Sequence, residues 1–502
     1  MRIIILALLV AACVSADLFD LKKSLVVGSL KGLIKHEVNK KIKKTMDRIK
    51  EVFNSNMIDF RKKLSGYKEK ILQKLYLTKE QRKELVERLK MFKRKTIDKV
   101  LSTGDSIEEI NIMSKIAGAL FQGDMVLSKE QQEQVTADIL GTRSKRQTMY
   151  ERGYPGRRWS KGVSYFFDDS ASAQVQSVFK KAAQQWMADT CINFIPSKFA
   201  QDSIRVFAED GCWSFVGRLG GVQNLSLGQG CESIGTAAHE IGHALGFFHT
   251  HSRYDRDQFI TVDEQNIKPD WLDQFTRETI STNNNYGLTY DYGSLMHYGA
   301  TSATGNKKPT MVPKDVMYTE TLGSPFISYY DLLMINTHYN CTDACKGKNT
   351  PCQNNGFAHP RDCSKCICPS GYGGQYCERR PPGCGAELEA TKEWRPLVDD
   401  LGDRKAGLTP REDFMKCNYW IKAPAGKKIE VKFVDFPDGV AVDGCTYAGV
   451  EIKTHPDQRR TGYRFCSKDD ANTVLKSLSN LVPVITYNRI YATVTKLEYR
   501  YV

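Results

Sequence analysis

Between residues 17 and 146 there is no cysteine, although the whole chain has fifteen. Past the first sixteen residues no apolar run reaches the roughly 20 residues a bilayer-spanning helix needs, so no membrane span is predicted. Neither an internal repeat nor a low-complexity tract is found, which sets aside repeat architectures. Charge excess is also missing from most of the chain. Of the formal +14, residues 17–146 carry +12 (30 Lys+Arg against 18 Asp+Glu), Arg2 carries one, and residues 147–502 carry +1 (41 against 40). The bulk of the chain therefore has no basic footprint for nucleic acid.

What is present points outward from the cell. Met1-Arg2, the apolar run Ile3 to Cys13 and Val14-Ser15-Ala16 read as a signal peptide over 1–16. Cys13 would leave with it, and the fourteen remaining cysteines suit a complete disulfide framework in a secreted, extracellular protein. The 502 residues call for several domains. The cysteine-free segment ends at Arg143-Ser144-Lys145-Arg146, which looks like a furin-type processing site, so 17–146 reads as a propeptide cut after Arg146 by a furin-like protease. Thr78-Lys79-Glu80-Gln81 resembles a capping box, and Leu85, Leu89 and Phe92 follow at helical spacing, which predicts a largely helical segment.

Residues 147–344 predict a mixed α/β domain. Val163 to Phe167 and Ser203 to Ala208 read as strands, and Val175, Val178, Phe179, Ala182 and Trp186 mark one face of a helix. The chemistry lies in His239-Glu240-Ile241-Gly242-His243-Ala244-Leu245-Gly246-Phe247-Phe248-His249. Histidines at i and i+4 stand one helical turn apart and can grip one metal ion. Glu240, beside the first of them, is placed to act as general base on a metal-activated water. Gly246 can turn left-handed, end the helix and let His249 come back to the metal. Three histidines leave the fourth position open, as in catalytic rather than structural zinc sites.

Together with Ser294-Leu295-Met296-His297-Tyr298, this segment resembles the astacin family of metzincin proteases. The resemblance implies one zinc ion per catalytic domain, held by His239, His243, His249 and, reversibly, Tyr298. It makes Met296 the floor of the site, and Glu240 and Tyr298 the catalytic pair. Phe121-Gln122-Gly123-Asp124 resembles the propeptide motif whose aspartate blocks the metal, so Asp124 would be a ligand in the latent form alone. Arg253-Tyr254-Asp255-Arg256-Asp257 also matches and is expected to fix structure rather than chemistry. The family's cysteine pattern implies Cys191–Cys341 and Cys212–Cys231. Cys345, Cys352, Cys363, Cys366, Cys368 and Cys377 resemble an EGF-like module over 345–378, which implies Cys345–Cys363, Cys352–Cys366 and Cys368–Cys377; spacing alone leaves fifteen connectivities open. Residues 384–502, with alternating Ile429, Val431 and Phe433 and the stretch Trp420-Ile421-Lys422-Ala423-Pro424-Ala425-Gly426, resemble a CUB domain, implying Cys384–Cys417 and Cys445–Cys466.

The expected chain is thus a multidomain zymogen: a helical propeptide, an α/β metzincin catalytic domain with a mixed sheet and active-site helix, a small disulfide-rich EGF-like module and an all-β CUB sandwich. The expected function is a secreted zinc endopeptidase acting on extracellular proteins, with matrix or cuticle proteins suggested by the family. The alternative is a catalytically inactive adhesion or matrix-binding protein that works through its EGF-like and CUB modules. Asn224 and Asn340 head N-glycosylation triplets. Three positions depart from the family. Thr250 stands where a glutamate usually follows the third histidine. Gly323-Ser324-Pro325 lacks an arginine that selects acidic residues in some members. Ala448-Gly449 replaces an aspartate of calcium-binding CUB domains.

Overall fold

The computed structural model describes residues 56–94, 96–141, 157–280 and 282–502. The predicted signal peptide, Arg146 and the Gln147 that a cut there would expose lie outside the described residues.

A six-stranded mixed sheet underlies the site. In chain order its strands are β1 (Met125–Val126), β2 (Val163–Phe167), β3 (Phe194–Pro196), β4 (Ser203–Phe207), β5 (Cys212–Phe215) and β6 (Val222–Leu227), and in space they run β1-β5-β6-β4-β2-β3. Only the β5–β6 pair is antiparallel. The helix Ala173–Ala188 presents Val175, Val178, Phe179, Ala182 and Trp186, all buried, as one continuous stripe. It packs on the sheet together with the helix Ile234–Leu245, and the apolar core lies between. Two indoles tie down the second helix: Trp186 Nε1 donates to Ala238 O at 3.0 Å and Trp159 Nε1 to Ala244 O at 2.9 Å. Cys212–Cys231 joins β5 to the approach of that helix, and Cys191–Cys341 closes a span of 150 residues.

Residues 345–377 hold three disulfides, Cys345–Cys363, Cys352–Cys366 and Cys368–Cys377, around the hairpin Phe357–His359 and Asp362–Ile367. So small a unit buries little apolar surface and is held chiefly by its covalent staples. Beyond it, a five-stranded and a four-stranded sheet face each other across a core that includes Ile429, Val431, Phe433, Val450 and Leu497. This β-sandwich carries Cys384–Cys417 and Cys445–Cys466.

The chain before β2 includes the helices Lys68–Leu75, Lys79–Leu89, Ile107–Met113 and Lys129–Leu140. Thr78 and Gln81 form a reciprocal capping box. The predicted stripe is shorter than expected: the helix stops at Leu89, and Phe92 lies past its end. Phe92 still joins Leu85 and Leu89 against Val312 and Val316, because the chain turns back onto the same apolar patch.

Candidate metal centre

The helix Ile234–Leu245 starts at Ser233, whose hydroxyl accepts from Thr236 N at 3.0 Å, and ends at Gly246. Gly246 has φ +116°, a conformation that side-chain-bearing residues rarely adopt, and it releases the chain toward His249. His239 and His243 are thereby stacked one turn apart, and His249 closes on them from the loop.

Hydrogen bonds fix how the rings point. His239 Nδ1 faces Leu295 O at 2.8 Å and His243 Nδ1 faces Phe247 O at 2.8 Å. A carbonyl only accepts, so each Nδ1 carries the proton and each Nε2 is left bare. His249 Nδ1 faces Gln122 Oε1 at 3.1 Å, which orients its ring in the same sense. Burial lowers His243 and holds His249 at about 4, so both stay neutral near pH 7.

Asp124 fills the hollow between them. Its Oδ2 lies 3.1 Å from Nε2 of both His239 and His249, and its Oδ1 lies 3.4 Å from His243 Nε2. The four ligand atoms are all within 4.8 Å of one another and all four residues are buried. Three imidazole lone pairs and a carboxylate aimed at one point repel unless a cation sits among them. His243 Nε2 and Asp124 Oδ1 also lack hydrogen-bond partners. The donor set therefore fits a divalent metal, and nitrogen-rich ligation suits zinc.

Glu240 is fully buried beside this set, and neither of its carboxylate oxygens has a hydrogen-bond partner. Burial, and after it the charge of Asp124, raise its carboxyl well above the usual range. Met296 lies beneath the helix: a Cβ built on Gly242 would meet its sulfur at 2.7 Å, so glycine between the two ligating histidines permits the close approach. Thr250 N donates to Met296 O at 2.8 Å, tying the loop after His249 to the methionine turn. Arg253 pairs with both oxygens of Asp255 and reaches Leu288 O, while Arg256 reaches Phe275 O, so these cations brace the following loop.

Tyr298 is not gathered with the ligand atoms. Its hydroxyl donates to the backbone O of Gln122, two residues before Asp124. Its ring lies between His249, 4.7 Å away, and His251, which stacks on it at 4.1 Å. His251 is buried and was not singled out in the sequence. The available signal was its place two residues after His249 in His-Thr-His, but alternation of that kind carries no metal spacing.

Asp124 is held in register by backbone. Val126 and Met125 form β1, parallel to β5 at the sheet edge, and Ser214 N donates to Asp124 O at 3.1 Å. Buried Asn111 donates to Gly123 O at 2.8 Å and to Cys212 O at 2.7 Å, and accepts from Cys212 N. The other expected positions lie apart from the metal centre. Asn340 is exposed, whereas Asn224 is half-buried within β6.

A buried three-histidine centre with an unpartnered glutamate beside it places the chain among zinc peptidases as a class. Residues 151–340 match the family described as Astacin (Peptidase family M12A). Zinc metalloproteinase nas-31 of Caenorhabditis elegans is 47% identical over 422 residues, covering 82% of this chain and 68% of its own. Zinc metalloproteinase nas-32 of the same organism is 38% identical over 402 residues, covering 78% and 60%. Among solved structures, high choriolytic enzyme 1, a hatching enzyme zinc-protease from Oryzias latipes, is 30% identical, covering 37% of this chain and 92% of its own, at a TM-score of 0.34. The chain belongs to the astacin family and is a zinc metalloendopeptidase.

Proposed function

We propose that the chain is the precursor of a secreted endopeptidase for extracellular proteins, held latent by Asp124 and activated by a cut after Arg146. The observation that carries this reading is the Asp124 carboxylate, centred on three histidine Nε2 atoms where water and substrate would have to enter. The proposed organisation is a signal peptide at 1–16, propeptide at 17–146, catalytic domain at 147–344, EGF-like module at 345–378 and CUB domain at 384–502. The three-disulfide unit and the two-sheet sandwich with its paired cysteines support the last two assignments.

His239, His243 and His249 would hold the ion. When bound, zinc supplies Lewis acidity, polarising a carbonyl and lowering the pKa of water to about 7. Glu240 takes the proton of the attacking water and passes it to the leaving amine. Its carboxylate oxygens make no hydrogen bond of their own, which leaves them free for this shuttle. Tyr298, freed from Gln122 O once the prosegment leaves, donates its hydroxyl to the oxyanion. Departure of β1 also exposes the edge of β5, where an extended peptide can add as a strand. Comparing casein cleavage by the intact precursor and by protein cut after Arg146 tests the reading. Activity is expected in the cut form alone, and equal activity in both would overturn it.

A further inference from the structure

The prosegment does not touch the catalytic domain alone. Residues 93, 94 and 96–105 also lie along the C-terminal β-sandwich. Asp98 N donates to Ala441 O at 3.0 Å, and Ala441 N returns a bond to Asp98 Oδ2 at 2.8 Å. Thr96 N donates to Asp469 Oδ2 at 2.9 Å, and Tyr447 donates its hydroxyl to Asp105 Oδ1 at 2.6 Å. Val100 and Leu101 pack against the sandwich core.

At the centre of this contact is Arg94, whose side chain is 1% exposed. Its Nε lies 3.2 Å from Glu320 Oε1 of the catalytic domain, and its Nη2 lies 2.5 Å from Asp443 Oδ1 of the sandwich. A third buried carboxylate, Asp470, adjoins Glu320. Three carboxylates thus surround one guanidinium. The imbalance shows in their protonation: burial and the neighbouring Glu320 push Asp470 up to about 9, and burial raises Glu320 despite Arg94. With the arginine withdrawn, Asp443 would lose its cation beside two acids that burial already biases toward the protonated form, and a second guanidinium would restore the ion pair with Asp443 and the contact with Glu320.

Asp443 links this cluster to the surroundings of the histidines. Asp443 Oδ2 accepts from Thr301 N at 2.6 Å and from Thr301 Oγ1 at 2.7 Å, three residues beyond Tyr298. A cavity of about 200 Å³ is lined in common by Asp443, Thr301, Tyr298, His239 and Asp124.

We infer that Glu320, Asp443 and Asp470 form a guanidinium-recognition site shared by the catalytic domain and the C-terminal sandwich, held by Arg94 in the precursor and open to an arginine side chain of a protein substrate once the prosegment has left. The substrate half rests on the proposed removal of residues 17–146. The site makes the sandwich a direct participant in both latency and substrate choice.

The test uses processed full-length enzyme and a synthetic peptide of residues 92–126, made with arginine or with its neutral isostere citrulline at position 94. Charge-assisted bonds of this kind make the arginine peptide the better inhibitor by about tenfold or more. In enzyme carrying Asp443→Asn that ratio falls toward one. Glu320→Gln, which alters the carboxylate 3.2 Å from Arg94 Nε, serves as the second variant if the first fails to fold, and the arginine–citrulline comparison on unmodified enzyme needs neither. Equal inhibition by both peptides would overturn the site. Products from a mixed peptide library, sequenced from their new N-termini, should show arginine enriched at a fixed distance from the cut. No enrichment alongside a clear citrulline effect would overturn the substrate half. An intact precursor that cleaves freely would refute the latency reading instead, and would leave the peptide comparison to decide the site.

Discussion

Replacing Asp124 by alanine tests the proposed latency. Its carboxylate is buried and lies 3.1–3.4 Å from three imidazole nitrogens, with Glu240 as a neighbouring acid. Removing one partner of a buried charged set costs about 3–5 kcal/mol. At 1.4 kcal/mol per tenfold, that moves the balance between seated and unseated prosegment by roughly a hundredfold to a few thousandfold. The prosegment keeps other anchors, including Arg82 on Asp263 and Glu264, Arg88 on Thr261, and Arg94 on Glu320 and Asp443. Leakage rather than full activation is therefore expected. The assay is cleavage of a quenched fluorescent peptide by uncut Asp124→Ala precursor, with Arg146 also replaced to prevent processing and zinc content measured alongside. Activity at least tenfold above the Asp124 precursor is predicted. A zinc-loaded variant as silent as its parent would refute the reasoning and assign latency to bulk occlusion.

Further outcomes follow from single positions. Thr250→Glu should not raise activity and should lower the melting temperature, because Thr250 donates to Ser294, which donates to buried Asp331, and a second acid there would be unpaired. An active and more stable variant would contradict this. The 384–502 fragment should melt at the same temperature in calcium or chelator. Among its described residues, the one potential metal group found is Asp399 with the disulfide cysteines Cys384 and Cys417; a calcium-dependent rise would show an acidic site elsewhere. Asp168 is held down at about 2, first by the Ser170 amide and then by Arg205, against an ordinary 3.8. Its contribution is present above 3.8 and lost as pH falls toward 2, so Asp168→Asn should lower stability at neutral pH and flatten that acid limb in pH-dependent unfolding.

The clustering of the histidines was legible because helix periodicity is local. His239 and His243 one turn apart, with a glycine three residues on, dictate the geometry without reference to the rest of the chain. Val163–Phe167 and the helix bearing Trp186 were equally readable from alternation and from a 3.6-residue stripe. Contacts set by tertiary packing were not. The end of the Lys79–Leu89 helix depends on Phe92 folding back onto Val312, and the stacking of His251 on Tyr298 depends on two loops more than 40 residues apart. Arg94 was one cation among many in a basic segment, and nothing nearby in sequence marks Glu320, Asp443 or Asp470 as its partners.

Whether the three-histidine zinc site works through Glu240 is decided by peptide cleavage with processed Glu240→Ala protein, together with its zinc content. Glu240 is buried beside the ligands yet is not one of them. One zinc per chain, unchanged, is expected, with a rate reduced by about 10²–10⁴ through loss of the general base. Cleavage near the unmodified rate with zinc in place would contradict this.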